Sequence, residues 1–230
     1  MLVSRRLVAA ACAAAIAAAA GLAADANAAT ISTTIPCVAN LGFGGALTLP
    51  LTASGFTPNG MVTIHTSSPA DRAPRDLSSV RVDAAGNLPT TRIDPPPLRS
   101  TTTVQQQFDL LAIDVTNPAI RAVTSFTQVR FGFDATPSTG RPTRTVTYTA
   151  RGFLPGQPVY AHFRFRGVTR RDVKIGVAAA PCGITKRKLR LLPTKTRFGT
   201  WTVYMDQAPK YSKKTLLQAK GTLSIRRTLG

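Results

Sequence analysis

The residues able to do chemistry in this chain are few and widely spaced. His65 and His162 are its two histidines, and Cys37 and Cys182 are the cysteines that follow residue 28. Every acidic residue is aspartate. A structural metal site takes ligands close together, as in Cys-x-x-Cys, and no such spacing occurs among these four positions. Paired carboxylates could hydrolyse a glycosidic bond if held at a set separation. Asp71 and Asp76 flank a proline-containing loop, and Asp109 and Asp114 fall on one strand. A spacing of five places the two members of each pair on opposite strand faces. Asp114 and Asp206 read as equivalent strand-end residues that cap turns. No Gly-x-Ser-x-Gly elbow is present, and neither histidine has an acid partner nearby in sequence. No glycine loop of the phosphate-cradling type occurs either. The expectation is a non-catalytic chain with no cofactor and no bound metal. Trp201 lies in an alternating stretch and reads as core.

These residues ride on a repeated framework. Thr52, Ala53, Gly55, Phe56, Pro58, Val62 and His65 recur without a gap as Thr149, Ala150, Gly152, Phe153, Pro155, Val159 and His162, an offset of 97 residues. A period near 100 residues is the size of an immunoglobulin-like sandwich. Leu49, Leu51 and Ala53 alternate before the first Gly-Phe, and Val146, Tyr148 and Ala150 before the second. Alternation of this kind is the strand signal. Pro58-Asn59-Gly60 and Pro155-Gly156 then supply turn residues. Phe56 and Phe153 read as rings plugged into the core. Further strands are predicted over 106–115, over a face shared by Val123, Thr127, Val129, Phe131 and Phe133, and around Trp201. No stretch beyond the first residues has helical periodicity, so the fold class is all-β, two tandem immunoglobulin-like β-sandwiches. The breaker-rich stretch from Ala135 to Pro142 reads as the linker, which puts the modules at 30–136 and 142–230.

The pattern Gly-Phe-x-Pro-Asn-Gly, then Val62, then Asp83-Ala84-Ala85-Gly86, resembles secreted bacterial Ig-like modules with a GF-x-P-G signature. In style it is similar to the apoprotein fold of the enediyne chromoproteins. The second copy keeps Gly152-Phe153-Leu154-Pro155-Gly156 and Val159 but lacks the Asp-x-x-Gly turn. The resemblance implies fold and little of function. Those chromoproteins carry disulfides within a domain, which one cysteine per module cannot make.

The first residues have the form of a secretory signal. Arg5 and Arg6 precede an apolar, alanine-rich run over 7–24, and Ala26-Asn27-Ala28 fits a cleavage site. Residues 1–28 therefore read as a signal peptide, with Sec and twin-arginine export both open. The expected localisation is secreted or cell-surface, with no transmembrane segment in the mature chain. In such a compartment Cys37 and Cys182 read first as a disulfide, and as two separate thiols otherwise.

Charge separates the modules. Residues 30–137 carry seven Arg, seven Asp and no Lys, whereas residues 138–230 carry twelve Arg and eight Lys against Asp172 and Asp206, a net of +18. On the strand after the second turn, Tyr160, His162, Arg164 and Arg166 point away from Val159, Ala161, Phe163 and Phe165. Lys186, Lys188 and Arg190 form a second alternating row. Like charges side by side on a sheet repel, and a bound polyanion offsets that repulsion. Solubility is the competing explanation. The favoured partner is an anionic cell-envelope polymer or lipid headgroups. Secretion ranks nucleic acid below the envelope polymers, and only Tyr160 interleaves with the row, where stacking platforms would need more aromatics. The expected polyanion-binding residues are Tyr160, Arg164, Arg166, Lys186, Lys188 and Arg190. A small-ligand carrier with a cleft in one sandwich is the alternative, and an unrecognised hydrolase a third.

Overall fold

A computed structural model describes residues 28–41, 47–69, 74–192 and 197–227. The signal peptide read over residues 1–28, except Ala28, and the loop residue Asp71 lie outside the described residues. Among the described residues the chain is all β, as two sandwiches built on one plan.

In the first sandwich, β1 (Thr30–Thr33), β3 (Leu49–Ser54) and β6 (Leu88–Ile93) form a three-stranded sheet in the order β1-β3-β6. Facing it is a five-stranded sheet in the order β2-β8-β7-β4-β5. Its strands are β2 (Cys37–Asn40), β4 (Met61–Ser67), β5 (Arg75–Arg81), β7 (Gln105–Asp114) and β8 (Arg121–Arg130). In the second sandwich, β9 (Gly132–Thr136), β11 (Thr145–Arg151) and β14 (Thr185–Arg190) make the smaller sheet. The larger contains β10 (Thr139–Gly140), β12 (Pro158–Phe165), β13 (Val168–Val177), β15 (Gly199–Asp206) and β16 (Ala219–Ile225), in the order β10-β16-β15-β12-β13. Adding eight to each strand number of the first sandwich gives the second. Each opens with a strand that breaks at a proline, Pro36 or Pro137, and crosses to the other sheet. There it runs parallel to the last strand, Cys37 beside Thr127 and Thr139 beside Ser224.

Alternation sets the cores. Leu49, Leu51, Val62, Ile64 and Leu110 are sealed in the first, and Tyr148, Val159, Phe163, Trp201 and Met205 in the second. Burying a side chain of this size stabilises by roughly 1.5–3 kcal/mol each. The polar ends of the two largest are satisfied. Tyr148 donates from its hydroxyl to the Leu191 carbonyl at 2.6 Å, and Trp201 Nε1 donates to the Arg197 carbonyl at 2.9 Å. Desolvation by burial pushes the Tyr148 phenol above its ordinary value.

The repeated Gly-Phe marks the same joint in both sandwiches. Phe56 N–H donates to the Gly86 carbonyl at 3.1 Å, and Phe153 N–H to the Gly183 carbonyl at 3.3 Å. A Cβ on Gly86 would come within 2.3 Å of the Phe56 carbonyl oxygen, and one on Gly183 within 1.6 Å of that of Phe153. Glycine is required at both. The second copy thus keeps the glycine of the Asp-x-x-Gly turn although it lacks the aspartate, whose Oδ1 in the first copy caps the N–H groups of Ala85 and Asn87.

Two expectations are corrected. The stretch over 135–142 is not the linker: β9 ends within it and pairs with β11, and β10 follows on β16. Its proline and small residues mark the crossing between two sheets of one sandwich. The boundary falls instead at Phe131, the one residue between β8 and β9. On β8 the core face belongs to Ala122 and Phe126, with Phe126 stacked on Phe108 at 5.5 Å, while Val123 is 63% exposed. Pairing with β7 fixes that register, Phe108 opposite Phe126, and the valines alone do not reveal it.

The sandwiches are joined without slack. Phe131 donates its N–H to the Asn40 carbonyl at 2.8 Å and sets its ring 5.0 Å from that of Phe153. Gly152 lies so close to Ala39 and Phe131 that a Cβ there would meet both, at 3.2 and 3.1 Å. Cys37 and Cys182 are bonded, tying edge strand β2 to the β13–β14 turn of the second sandwich.

Candidate functional site

The chemistry-bearing residues of the second sandwich converge on the outer face of its larger sheet. His162 follows Ala161 on β12 and points away from the core. Its strand neighbours are Asp172 on β13 and Tyr204 on β15. Asp172 Oδ1 lies 2.7 Å from His162 Nδ1, and Asp206 Oδ1 lies 3.0 Å from Nε2. An imidazole with hydrogen on both nitrogens donates to both carboxylates. Residues 207–218, between β15 and β16, fold back over this cluster. Tyr211 puts its ring 5.9 Å from that of His162 and 5.1 Å from that of Tyr204. Gln218 Nε2 donates to Asp206 Oδ2 at 2.7 Å, and Ala208 N–H to Asp206 Oδ1 at 2.8 Å. His162 and Asp206 are both 0% exposed. The imidazole is enclosed with a carboxylate at each ring nitrogen, and Asp206 links the covering loop to the sheet.

The first sandwich shows the same pair without the cover. His65 Nδ1 lies 2.6 Å from Asp76 Oδ1, with the aspartate side chain 77% exposed. The position opposite His65 is Leu111, where the second sandwich has Tyr204, and Ile113 stands where it has Asp206. Both histidines therefore do have acid partners, brought by the next strand of a hairpin. Asp114 and Asp206 are not equivalent, in contrast to the sequence expectation. Asp114 faces inward and Asp206 outward; the register match of Asp114 is Gln207.

The six expected polyanion-binding residues do not share one surface. Tyr160 and Arg164 lie half-buried on the outer face of the five-stranded sheet. Arg164 is engaged: its guanidinium sits 4.1 Å from the Tyr211 ring centroid and donates to the Gly167 carbonyl. Arg166 is in the β12–β13 turn, over the Phe165 ring. Lys186, Lys188 and Arg190 are on the opposite side of the sandwich, exposed on the outer face of the three-stranded sheet. There they stand opposite Thr149, Thr147 and Thr145 of β11. Two residues along a strand advance roughly 7 Å, so the row presents cations at that spacing beside a row of hydroxyls. Arg187, between them, turns to the sheet edge and donates to the Lys174 carbonyl on β13.

Sequence reasoning undervalued Asp172, Tyr204 and Tyr211. Tyr204 and Asp206 share outward parity, which is legible. The pairing of Asp172 with His162 needs the hairpin register, and Tyr211 sits in a loop without periodicity. Among the described residues no group of three or more His, Cys, Asp or Glu is placed to hold a metal ion, and no helix is long and apolar enough to cross a membrane.

No family model and no curated protein matches the chain. Among solved structures it is similar to a tetra-tandem repeat in the extending region of a large adhesion protein. That match has 15% identity and a TM-score of 0.28, over 86% of this chain and 48% of the other. Another is red sea bream transglutaminase, at 12% identity and a TM-score of 0.29, over 86% of this chain and 31% of that one. The chain spans less than half of either protein.

Proposed function

We propose that the protein is a secreted, non-catalytic binding protein whose second sandwich attaches to an anionic cell-envelope polymer. The observation that carries this is the exposed row Lys186–Lys188–Arg190. It lies on a three-stranded face lined with threonine, and none of the three cations is ion-paired among the described residues. The carboxylates of this sandwich are spent elsewhere: Asp134 on Arg151, Asp206 on His162, and Asp172 on His162 and Lys210. A periodic cation row suits a linear polymer carrying a phosphate or carboxylate per unit, with hydroxyls available to its neutral groups. The first sandwich, close to neutral and joined to the second through Phe131 and the disulfide, then acts as a spacer or a protein-facing module.

Binding of this kind weakens with salt, since exposed charges are screened within about 8 Å at physiological ionic strength. The test compares the full chain with a K186S/K188S/R190S variant for retention on purified envelope at low and physiological salt. Loss of retention in the triple variant, with Arg164→Ser unchanged, supports the reading. Equal retention of triple variant and wild type overturns it.

A further inference from the structure

We propose a second anion site, separate from that row: a groove that binds a compact, multiply charged phosphate anion of the pyrophosphate or oligophosphate class. The groove is an open depression of about 460 Å³ between the β10–β11 turn and the end of β16, lined by Gly140, Arg141, Thr143, Arg144, Arg226 and Arg227.

Its walls are fixed to each other. Arg226 N–H donates to the Gly140 carbonyl at 3.1 Å, and Arg144 N–H closes the turn on the Arg141 carbonyl at 3.1 Å. Gly140 has φ 141°, and a Cβ there would lie 3.2 Å from Arg144 Cδ. The glycine therefore lets the Arg144 stem lie across β10, beside Leu191. Four arginines line one groove, and none is ion-paired with a carboxylate among the described residues. As noted above, the three aspartates of this sandwich are engaged at other sites. Gathering like charges without a counter-charge opposes folding, and a polyvalent anion removes that opposition.

The chemistry selects the ligand class. All four cations are arginine, although this half of the chain holds eight lysines. A planar guanidinium gives paired N–H donors that match an oxyanion, where an ammonium is a point charge. A carboxylate neutralises one arginine. A phosphate monoester brings a charge of about −1.5 to −2, and linked phosphates bring more in the same volume. No aromatic ring lines the groove to stack a base; the adjacent Phe198 is occupied by Arg227 at 5.0 Å. A phosphate chain fits better than a nucleic acid.

The test titrates the full chain calorimetrically with sodium tripolyphosphate in phosphate-free buffer at physiological salt. Wild type binds, and an R144Q/R226Q variant binds at least tenfold more weakly. R144K/R226K, which keeps the charge and loses the paired donors, falls between them. The K186S/K188S/R190S variant binds tripolyphosphate like wild type, which separates this site from the polymer row. All four arginines are exposed, so the variants keep their fold, and R144Q/R226Q melts no lower than wild type. Unaltered affinity in R144Q/R226Q, equal weakening by the row variant, or no wild-type binding overturns the proposal. So does tighter binding of a single-stranded oligonucleotide than of tripolyphosphate at equal phosphate. A parallel titration with vesicles bearing a phosphomonoester headgroup distinguishes a lipid source from a soluble one, and binding at the arginines in either form upholds the assignment.

Discussion

Asp114 and Gln207 hold the same joint in the two sandwiches. Asp114 Oδ2 accepts the Thr57 N–H at 2.7 Å, and Gln207 Oε1 accepts the Leu154 N–H at 3.2 Å. Thr57 and Leu154 are the residues after the repeated Gly-Phe. Each side chain thus ties the last residues of a long strand to the turn that begins its neighbour. Asp114 adds a cap, its Oδ1 accepting from Thr116 and Asn117. Burial alone would raise its pKa. The hydrogen bonds from Thr57, Asn117 and Thr116 outweigh that and hold it below its ordinary value. A carboxyl depressed in the folded state stabilises above its unfolded pKa of about 3.9 and loses that contribution as pH falls through the folded value. Asp114→Asn should therefore be less stable than wild type at pH 7, with the gap closing below about pH 4 in a series of thermal melts. Asp114→Ala should cost about 1.5–3 kcal/mol, because three backbone N–H groups lose a charged acceptor, and Gln207→Ala about 1 kcal/mol.

The two histidines offer a matched pair of substitutions. Removing His162 leaves Asp206 buried opposite an empty space and frees the loop over 207–218. A buried polar group left without its partner costs about 1–3 kcal/mol, and His162→Ala should reach the upper end of that range in urea unfolding. His65→Ala removes a pair open to water and should cost less than about 1 kcal/mol. Equal losses at the two sites would show that the loop adds nothing to the second.

How far the sequence predicts these arrangements depends on which interactions are local. The period of 97 residues, the alternation in β3 and β11 and the Gly-Phe turns are local, and they give the all-β tandem architecture. The inward position of Trp201 and the outward parity of Tyr204 and Asp206 are local too. The boundary at Phe131 was hidden because a proline break inside a sandwich resembles a linker. The Lys186 and Arg164 rows look alike in sequence. Nothing within either strand says which sheet it joins, and membership in different sheets places them on opposite faces. The arginine groove is the least legible, because it joins residues 141–144 to 226–227 through a parallel pairing between β10 and β16.

Gln128 is fully buried on β8, and neither atom of its side-chain amide has a hydrogen-bond partner among the described residues. An unsatisfied buried polar group costs about 1–3 kcal/mol. Gln128→Leu should therefore raise the urea midpoint, by about 1 kcal/mol of stability after allowance for the changed shape. A loss of stability in that variant would mean that the amide is satisfied in solution.

The disulfide joins residues 145 apart and so encloses nearly all of the first sandwich after β1 and half of the second. In the chain-entropy treatment a loop of this length stabilises by about 5 kcal/mol, less any native-state strain. The bond also couples the two sandwiches, since Cys37 opens β2 of the first and Cys182 lies in the β13–β14 turn of the second. Without it the sandwiches remain joined by Phe131 and its contact with Phe153. Cys182→Ser should therefore lower stability by up to about 5 kcal/mol and separate one calorimetric transition into two. The first sandwich should melt earlier, because most of the enclosed chain is its own. A single unshifted transition in Cys182→Ser would mean that the Phe131 junction alone couples the two cores.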